Sequence, residues 1–530
     1  MKIHIYFYSL IVLLTSCKGY LDTVPTDKAS PETFLEDITQ ARSLLAGIYN
    51  CLYDDSPVYI FPYTLENMTD NSFNPNTWEF STEFGKGTQT AASWLAEYKW
   101  TKNWLGISRA NSLIRGLENA PALSAEEKSA IVAEAKFFRA FYYFDLLTLY
   151  GRVPVLDEHS ALENPPRDDI NKVIAFMKDD IDLAIIYLQN SIGGEYVSRG
   201  AAYMLKLRLA QYENDHETVI ACAEDIRDLG FGLYGDFEKL FVEEGIDDPA
   251  NKEVIFKINY ATDLRSSYMT MLWYHWNSFQ TTLAMVESFF TANGLPVNDL
   301  QADGGGYIGK DPAYNPDRPF ANRDPRLHLS VLYPGSEYRL DAESRYQEHW
   351  VPASWSNISG FRPKKGANEK LLNTQNDGTD KILMRYGEVL LAWAESENEL
   401  NGPANAYPLI DELRERVDMI SLSESLPFLT KSTMRALIRN ERRVELFHEG
   451  QRWFDIRRWG IAEEVMTDAV GLDVSLLKWY SDGNVTSDWQ YVPIVIDRRS
   501  FNKNRDYLWP IPQKEINANP EMKNDQNYGY

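Results

Sequence analysis

Asn440-Glu441-Arg442-Arg443-Val444-Glu445-Leu446-Phe447-His448-Glu449-Gly450-Gln451-Arg452-Trp453-Phe454-Asp455-Ile456-Arg457-Arg458-Trp459-Gly460 is the stretch on which the reading of this chain turns. Glu441, Glu445 and Glu449 recur every four residues, so they share one face of a helix expected over 432–449, with Arg439, Arg442 and Arg443 interleaved. Such pairs contribute ~0.2–0.5 kcal/mol each when exposed; partly buried, they would specify packing. Gly450 reads as the C′ residue that ends this helix. A glycosidase needs two carboxyls on facing elements, about 5–9.5 Å apart. One stripe on one helix makes no such cleft, so the stretch reads as structural. His448-Glu449 begins a zinc pattern, but Arg452 stands where the second His belongs. The other His residues are scattered and indicate no His-based metal site.

Outward from this stretch, helical patterns dominate. Ser124 and Glu127 form a capping box, and Ile131, Phe138, Tyr142, Leu146 and Leu149 then recur at helical spacing until Gly151. Further helices are expected at 34–52, 90–118, 169–189, 198–212, 216–229, 384–400 and 404–417. Successive antiparallel pairs with small residues at their contacts suggest a tetratricopeptide-like stack. Between 231 and 382 the composition shifts to Gly, Pro, Asn, Asp and aromatics, with a short strand expected at Val254–Ile258. Loops this long are uncommon without function.

The chain has 530 residues, 44% hydrophobic and 13% aromatic, ample for a large core. A net charge of −24 argues against nucleic acid, whose affinity rests on Lys and Arg, and against simple adhesion to anionic lipid. Lys2, the apolar run Ile5–Leu14 and then Leu14-Thr15-Ser16-Cys17 make a secretory signal with a cysteine after the cut, the bacterial lipoprotein pattern. Cys17 is therefore the expected lipid anchor. The apolar run is shorter than the ~20 residues a spanning helix needs. The expected organisation is a signal peptide at 1–16, anchor and tether at 17–33, and one unit at 34–530. That unit comprises helices to 230, a loop-rich part at 231–382, and helices with a closing segment at 383–530. Cys51 and Cys222 lie beside apolar residues and read as buried thiols in preference to a disulfide.

Residues 440–460 closely resemble the signature of the SusD/RagB-like nutrient-binding lipoproteins of Bacteroidetes. Glu134–Tyr143, Tyr150-Gly151-Arg152-Val153-Pro154, Arg323-Asp324-Pro325-Arg326-Leu327, Arg385–Leu391 and Pro510-Ile511-Pro512 agree with it in order. The resemblance implies a mainly α, SusD-like fold: a tetratricopeptide-like body of helical pairs with a loop-rich, aromatic-rich second part. It implies a non-enzymatic lipoprotein on the outer face of the outer membrane. Such a protein would capture oligosaccharides for a SusC-like TonB-dependent β-barrel transporter. Some relatives handle peptides, which leaves peptide or another nutrient as the alternative cargo.

Sugar rings present C–H faces that stack on flat aromatics, while their hydroxyls need planar polar partners. Aromatics on loops are the candidates, and the family commonly builds its sites in two loop regions. Here the first is Asp70–Trp78, which offers Asp70, Asn71 and Trp78. The second holds Trp273, Tyr274 and Trp276; Trp355 belongs to a third, weaker group. No cofactor is expected. Asp299, Asp303 and Asp311 are a weak calcium candidate. Gly304–Lys310 satisfies both G-x-G-x-x-G and the first seven positions of a P-loop. Asp311 replaces the Mg²⁺-binding Ser or Thr, and the acidic run Asn298–Asp303 precedes the loop where an apolar strand belongs, so it reads as a flexible Gly loop.

Overall fold

The computed structural model describes residues 35–530 except 36, 54–60, 161–163, 337, 340–345, 348–357, 372–374 and 477–491. The signal, Cys17, the tether and Trp355 lie outside the described residues.

The chain is mainly α. Helices α1 (Ile38–Tyr49), α2 (Trp94–Glu118), α3 (Ala125–Tyr150), α4 (Ile170–Tyr187), α5 (Arg199–Glu213) and α6 (His216–Asp228) stand where the periodicity placed them. Their ends are chemical. Ser124 and Glu127 close the expected capping box on α3, and Asp169, Ser198 and Asp215 cap α4, α5 and α6. From α2 onward each helix packs on the next, as tetratricopeptide-like pairs do. Gly106 lets α2 and α3 close in: a Cβ there would lie 2.4 Å from the Tyr142 ring.

The stack resumes far along the chain. Helix α6 packs on α7 (Tyr386–Leu400), which packs on α8 (Pro403–Glu415) and α9 (Lys431–Glu445). The bridge is a pair of strands. Val254–Ile258 forms as expected and pairs antiparallel with Lys381–Arg385, setting Lys381 opposite Ile258 and Arg385 opposite Val254. The loop-rich part therefore leaves and re-enters the body at one point. Within it the strand pairs are short, and Gly304-Gly305 forms the turn of a hairpin between Leu300–Gln301 and Tyr307–Ile308. Trp509 in the closing segment packs on Phe84, Tyr150 and Trp453. Cys51 and Cys222 are both buried thiols outside any disulfide, and burial pushes the Cys222 thiol up to about 12.

The signature departs from the expected single helix. Helix α9 ends at Glu445, residues 446–450 form a turn, and α10 (Gln451–Arg458) follows. Gly450 is the N-cap of α10, not the C′ residue of α9. Its φ of 77° is left-handed, and a Cβ would lie 2.3 Å from the Pro62 carbonyl oxygen. Glu449 thus leaves the helix face it was expected to share.

These acidic residues are buried. Glu445 meets Arg326 at 3.0 Å, Arg385 at 2.8 Å and Arg416 at 2.6 Å. Glu441 meets Arg326 at 2.6 Å, and Glu449 meets Arg385 at 2.7 Å and Lys365 at 2.5 Å. Burial alone would raise the Glu445 carboxyl, but Arg416, Arg385 and Arg326 outweigh it and hold the group well below the usual range. The network joins α9 to the loop-rich part through Arg326 and Lys365, and to the strand pair through Arg385.

Candidate functional site

Two loops meet beside the signature. Ser72–Phe73 pairs antiparallel with Gln280–Thr281, so the segments around Trp78 and Trp276 run off one small clamp. The clamp is fastened from below. Arg452 grips Asp70 with two hydrogen bonds of 2.8 and 2.9 Å, and Arg443 reaches Asp70 at 2.9 Å. Burial raises the Asp70 carboxyl, but Arg443 and Arg452 outweigh it and hold it far below the carboxylate range. Asn71 donates to Glu66 and accepts from Arg443.

Asp70 and Asn71 are therefore anchors, buried beneath the loop, and are corrected from ligand contacts to supports. Trp273 is corrected too. It is 1% exposed, set edge-to-face on His448 at 4.4 Å in a small core with Tyr63, Leu272 and Phe279. A paired carboxylate, a hydrogen-bonded amide and a closed ring leave no face for solute.

Trp78 is the opposite case, 69% exposed on a single helical turn, Thr77–Glu79. The next residue in the chain after that ring, Glu79, is buried. Its Oε2 accepts from Asn74 at 2.6 Å and its Oε1 from Asn76 at 2.8 Å and Ser278 at 2.7 Å. Burial pushes the Glu79 carboxyl up, while Ser278, Asn74 and Asn76 pull it down. Asn76 also donates to the Trp276 carbonyl at 3.1 Å. One carboxylate thus fixes the loop of Trp78 to the loop of Trp276. Trp276 is half-buried with Tyr268 beside it, ring centroids 6.3 Å apart. The backbone of Tyr274 is helical; its side chain lies outside the described structure.

More rings adjoin this surface. Phe80 faces Trp94 at 5.3 Å, and Trp94 stacks on Tyr98 at 4.7 Å and 14°. Phe80 and Trp94 are exposed large apolar residues. Sequence reasoning passed over them, because Trp94 and Tyr98 sit on a helix, where spaced aromatics ordinarily mean core. The place of Trp94 at the first residue of that helix, with Tyr98 one turn on, was the available signal. Phe80, Tyr268 and Asn277 all hold left-handed backbone, at φ 46°, 55° and 53°. Such conformations cost side-chain-bearing residues energy and cluster at binding surfaces.

The surface is polar at its base, aromatic at its face and open. Neither cavity of about 220 Å³ borders Trp78. The calcium candidates do not converge. Asp299 accepts from the Lys310 amide, Asp303 faces Arg435 and Arg439, and Asp311 accepts from Thr291 and Asn293. Among the described residues the carboxylate and imidazole group with ligand-like spacing is Glu118, Glu158 and His159, and there Glu158 is bound by Arg139.

A sequence model of the SusD family matches residues 252–530, and a second, described as starch-binding associating with outer membrane, matches residues 19–208. SusD-like protein P25 of Formosa agariphila is 25% identical over 94% of this chain and 96% of its own. A SusD-like protein from Bacteroides fragilis superposes with a TM-score of 0.78 at 23% identity, covering 96% of this chain and all of that one. A SusD-like carbohydrate-binding protein from the same species gives 0.76 at 23% identity, over 93% of this chain and all of that one. With fold, signature and family match in agreement, the chain belongs to the SusD family.

Proposed function

We propose that this protein captures oligosaccharides on the aromatic surface around Trp78 and Trp276, without chemical turnover. The observation that carries the reading is an indole 69% exposed on a loop held rigid by buried hydrogen bonds. An exposed ring costs solvation, and contiguous exposed apolar surface marks interaction sites. A pre-set ring also binds without an added ordering cost. The carbohydrate-binding relative and the starch-binding description of the second family match support the same cargo. In this reading Cys17 carries the lipid anchor at the outer face of the outer membrane, and a SusC-like TonB-dependent barrel receives the sugar. A protein that must release its cargo binds modestly, with Kd values of ~μM to mM, or about −8 to −4 kcal/mol.

Isothermal titration of the protein against a panel of oligosaccharides and a panel of peptides tests the cargo. Binding to at least one oligosaccharide, with Trp78→Ala and Trp276→Ala weakening it in a folded protein, supports the proposal. Peptide binding without any glycan binding would replace it with the peptide reading, which the acidic charge favours for basic peptides.

A further inference from the structure

A cavity of about 220 Å³ lies where α3, α5 and α10 meet, away from the Trp78 surface. At ~30 Å³ per water it has the volume of about seven waters. Phe144, Tyr212, Phe454 and Tyr507 form its apolar walls, and half-buried Tyr212, Phe454 and Tyr507 place one side near solvent.

Its polar lining is donor-rich. Arg442 is 2% exposed and spends Nε and Nη2 on Asp455, both at 2.9 Å, which leaves Nη1 buried with no partner among the described residues. Gln211 is 7% exposed, and its Nε2 is buried with no partner among the described residues. Arg457 Nε has none among them either. Arg442, Gln211 and Arg457 all line the same space.

The charges do not cancel. Arg208 is paired with Glu388, Arg442 with Asp455 and Arg458 with Glu395. Among the described residues Arg457 has no such carboxylate. It reaches the backbone carbonyls of Trp453 and Asp506 at 3.4 and 3.3 Å, and its guanidinium stacks on the Trp453 ring. The Asp506 side chain is already taken by Arg505 at 2.6 Å and Gln89 at 2.7 Å. Arg457 is half-buried; desolvation opposes its charge and Asp506 favours it, and a guanidinium keeps its proton in a protein. A cation so placed is stabilised by a carboxylate, whose two oxygens match the guanidinium fork.

We infer that this cavity is a second ligand site, for a small organic monoanion. Its carboxylate would meet Arg457, Arg442 Nη1 and Gln211 Nε2, and its compact apolar body the four rings. A divalent cation is the wrong charge for this lining. A neutral sugar would leave Arg457 without an anion. The site is separate from the proposed glycan surface and stands or falls independently of it.

The test uses the full chain with sodium benzoate as probe and benzamide as its neutral counterpart, by isothermal titration and saturation-transfer NMR. Benzoate is expected to bind saturably, and benzamide about tenfold more weakly or not at all. Arg457→Met and Gln211→Leu should each weaken benzoate about tenfold. Oligosaccharide titrations should stay unchanged. Gln211→Leu removes an unpartnered donor, so it keeps the test open if Arg457→Met fails to fold. Failure of benzoate to bind saturably, equal binding of benzamide, or Gln211→Leu binding benzoate as the parent does would overturn the inference. So would ordered water alone in crystals soaked with benzoate.

Discussion

Glu79 accepts from Asn74, Asn76 and Ser278 in a place where its charge is costly. Replacing it by alanine leaves three donors without their acceptor, at roughly 1–3 kcal/mol for each group that stays buried. The expected outcome for Glu79→Ala is weaker oligosaccharide binding, with the Trp78 loop cut earlier in limited proteolysis; parental affinity would show that the loop needs no such hub. Glu66 gives a pH prediction. Burial pushes its carboxyl up to about 7, although Asn71 and the amides of His448 and Gly450 pull it down. A raised folded value means the folded state holds the proton that the unfolded chain, near about 4.3, has released. Glu66 therefore contributes a stability that falls as pH rises from about 4.3 to about 7, by roughly 4 kcal/mol in all. Urea unfolding across that window should slope less steeply downward with pH in Glu66→Gln than in the parent. At this scale the sequence told loops from helices but not inside from outside. Asp70 and Trp78 look alike in a polar, aromatic segment; what separates them is Arg452, which lies hundreds of residues away in the chain. Trp273 and Trp276 differ in the same way, by which ring faces His448.

At the scale of elements, local chemistry was readable and distant pairing was not. The capping box on α3 and the strand at Val254–Ile258 were visible as patterns. The partner strand, Lys381–Arg385, is hidden because it pairs across the whole loop-rich part and its end falls within the helix expected over 384–400. The break after α9 is hidden for a related reason: the Glu spacing continues to Glu449, but residues 446–450 turn, with His448 and Gly450 in left-handed backbone and Gly450 against the Pro62 carbonyl. Gly450→Ala tests that contact. It forces a side chain into left-handed backbone and onto the Pro62 carbonyl, so it should destabilise by ~2 kcal/mol or more. Equilibrium unfolding measures this, and a change below ~0.5 kcal/mol would mean the turn relaxes freely.

For the molecule as a whole, the buried ion network is what lets a loop-rich excursion and a helical stack act as one support. Arg326, Lys365 and Arg385 bring three separate segments onto Glu445 and Glu449. Removing one charge strands the others, so Glu445→Gln should destabilise by ~3–5 kcal/mol in urea unfolding. The family resemblance read from residues 440–460 holds, and the signature is this support rather than a reaction centre. Its Arg443 and Arg452 carry the clamp from which Trp78 and Trp276 project.

The central claim is that an indole held out by buried polar bonds captures glycan, and titration of the Trp78→Ala protein tests it most directly. The parent should bind at least one oligosaccharide, and Trp78→Ala, with unchanged circular dichroism and unfolding midpoint, should bind it about tenfold more weakly. Parental affinity in Trp78→Ala would contradict the account.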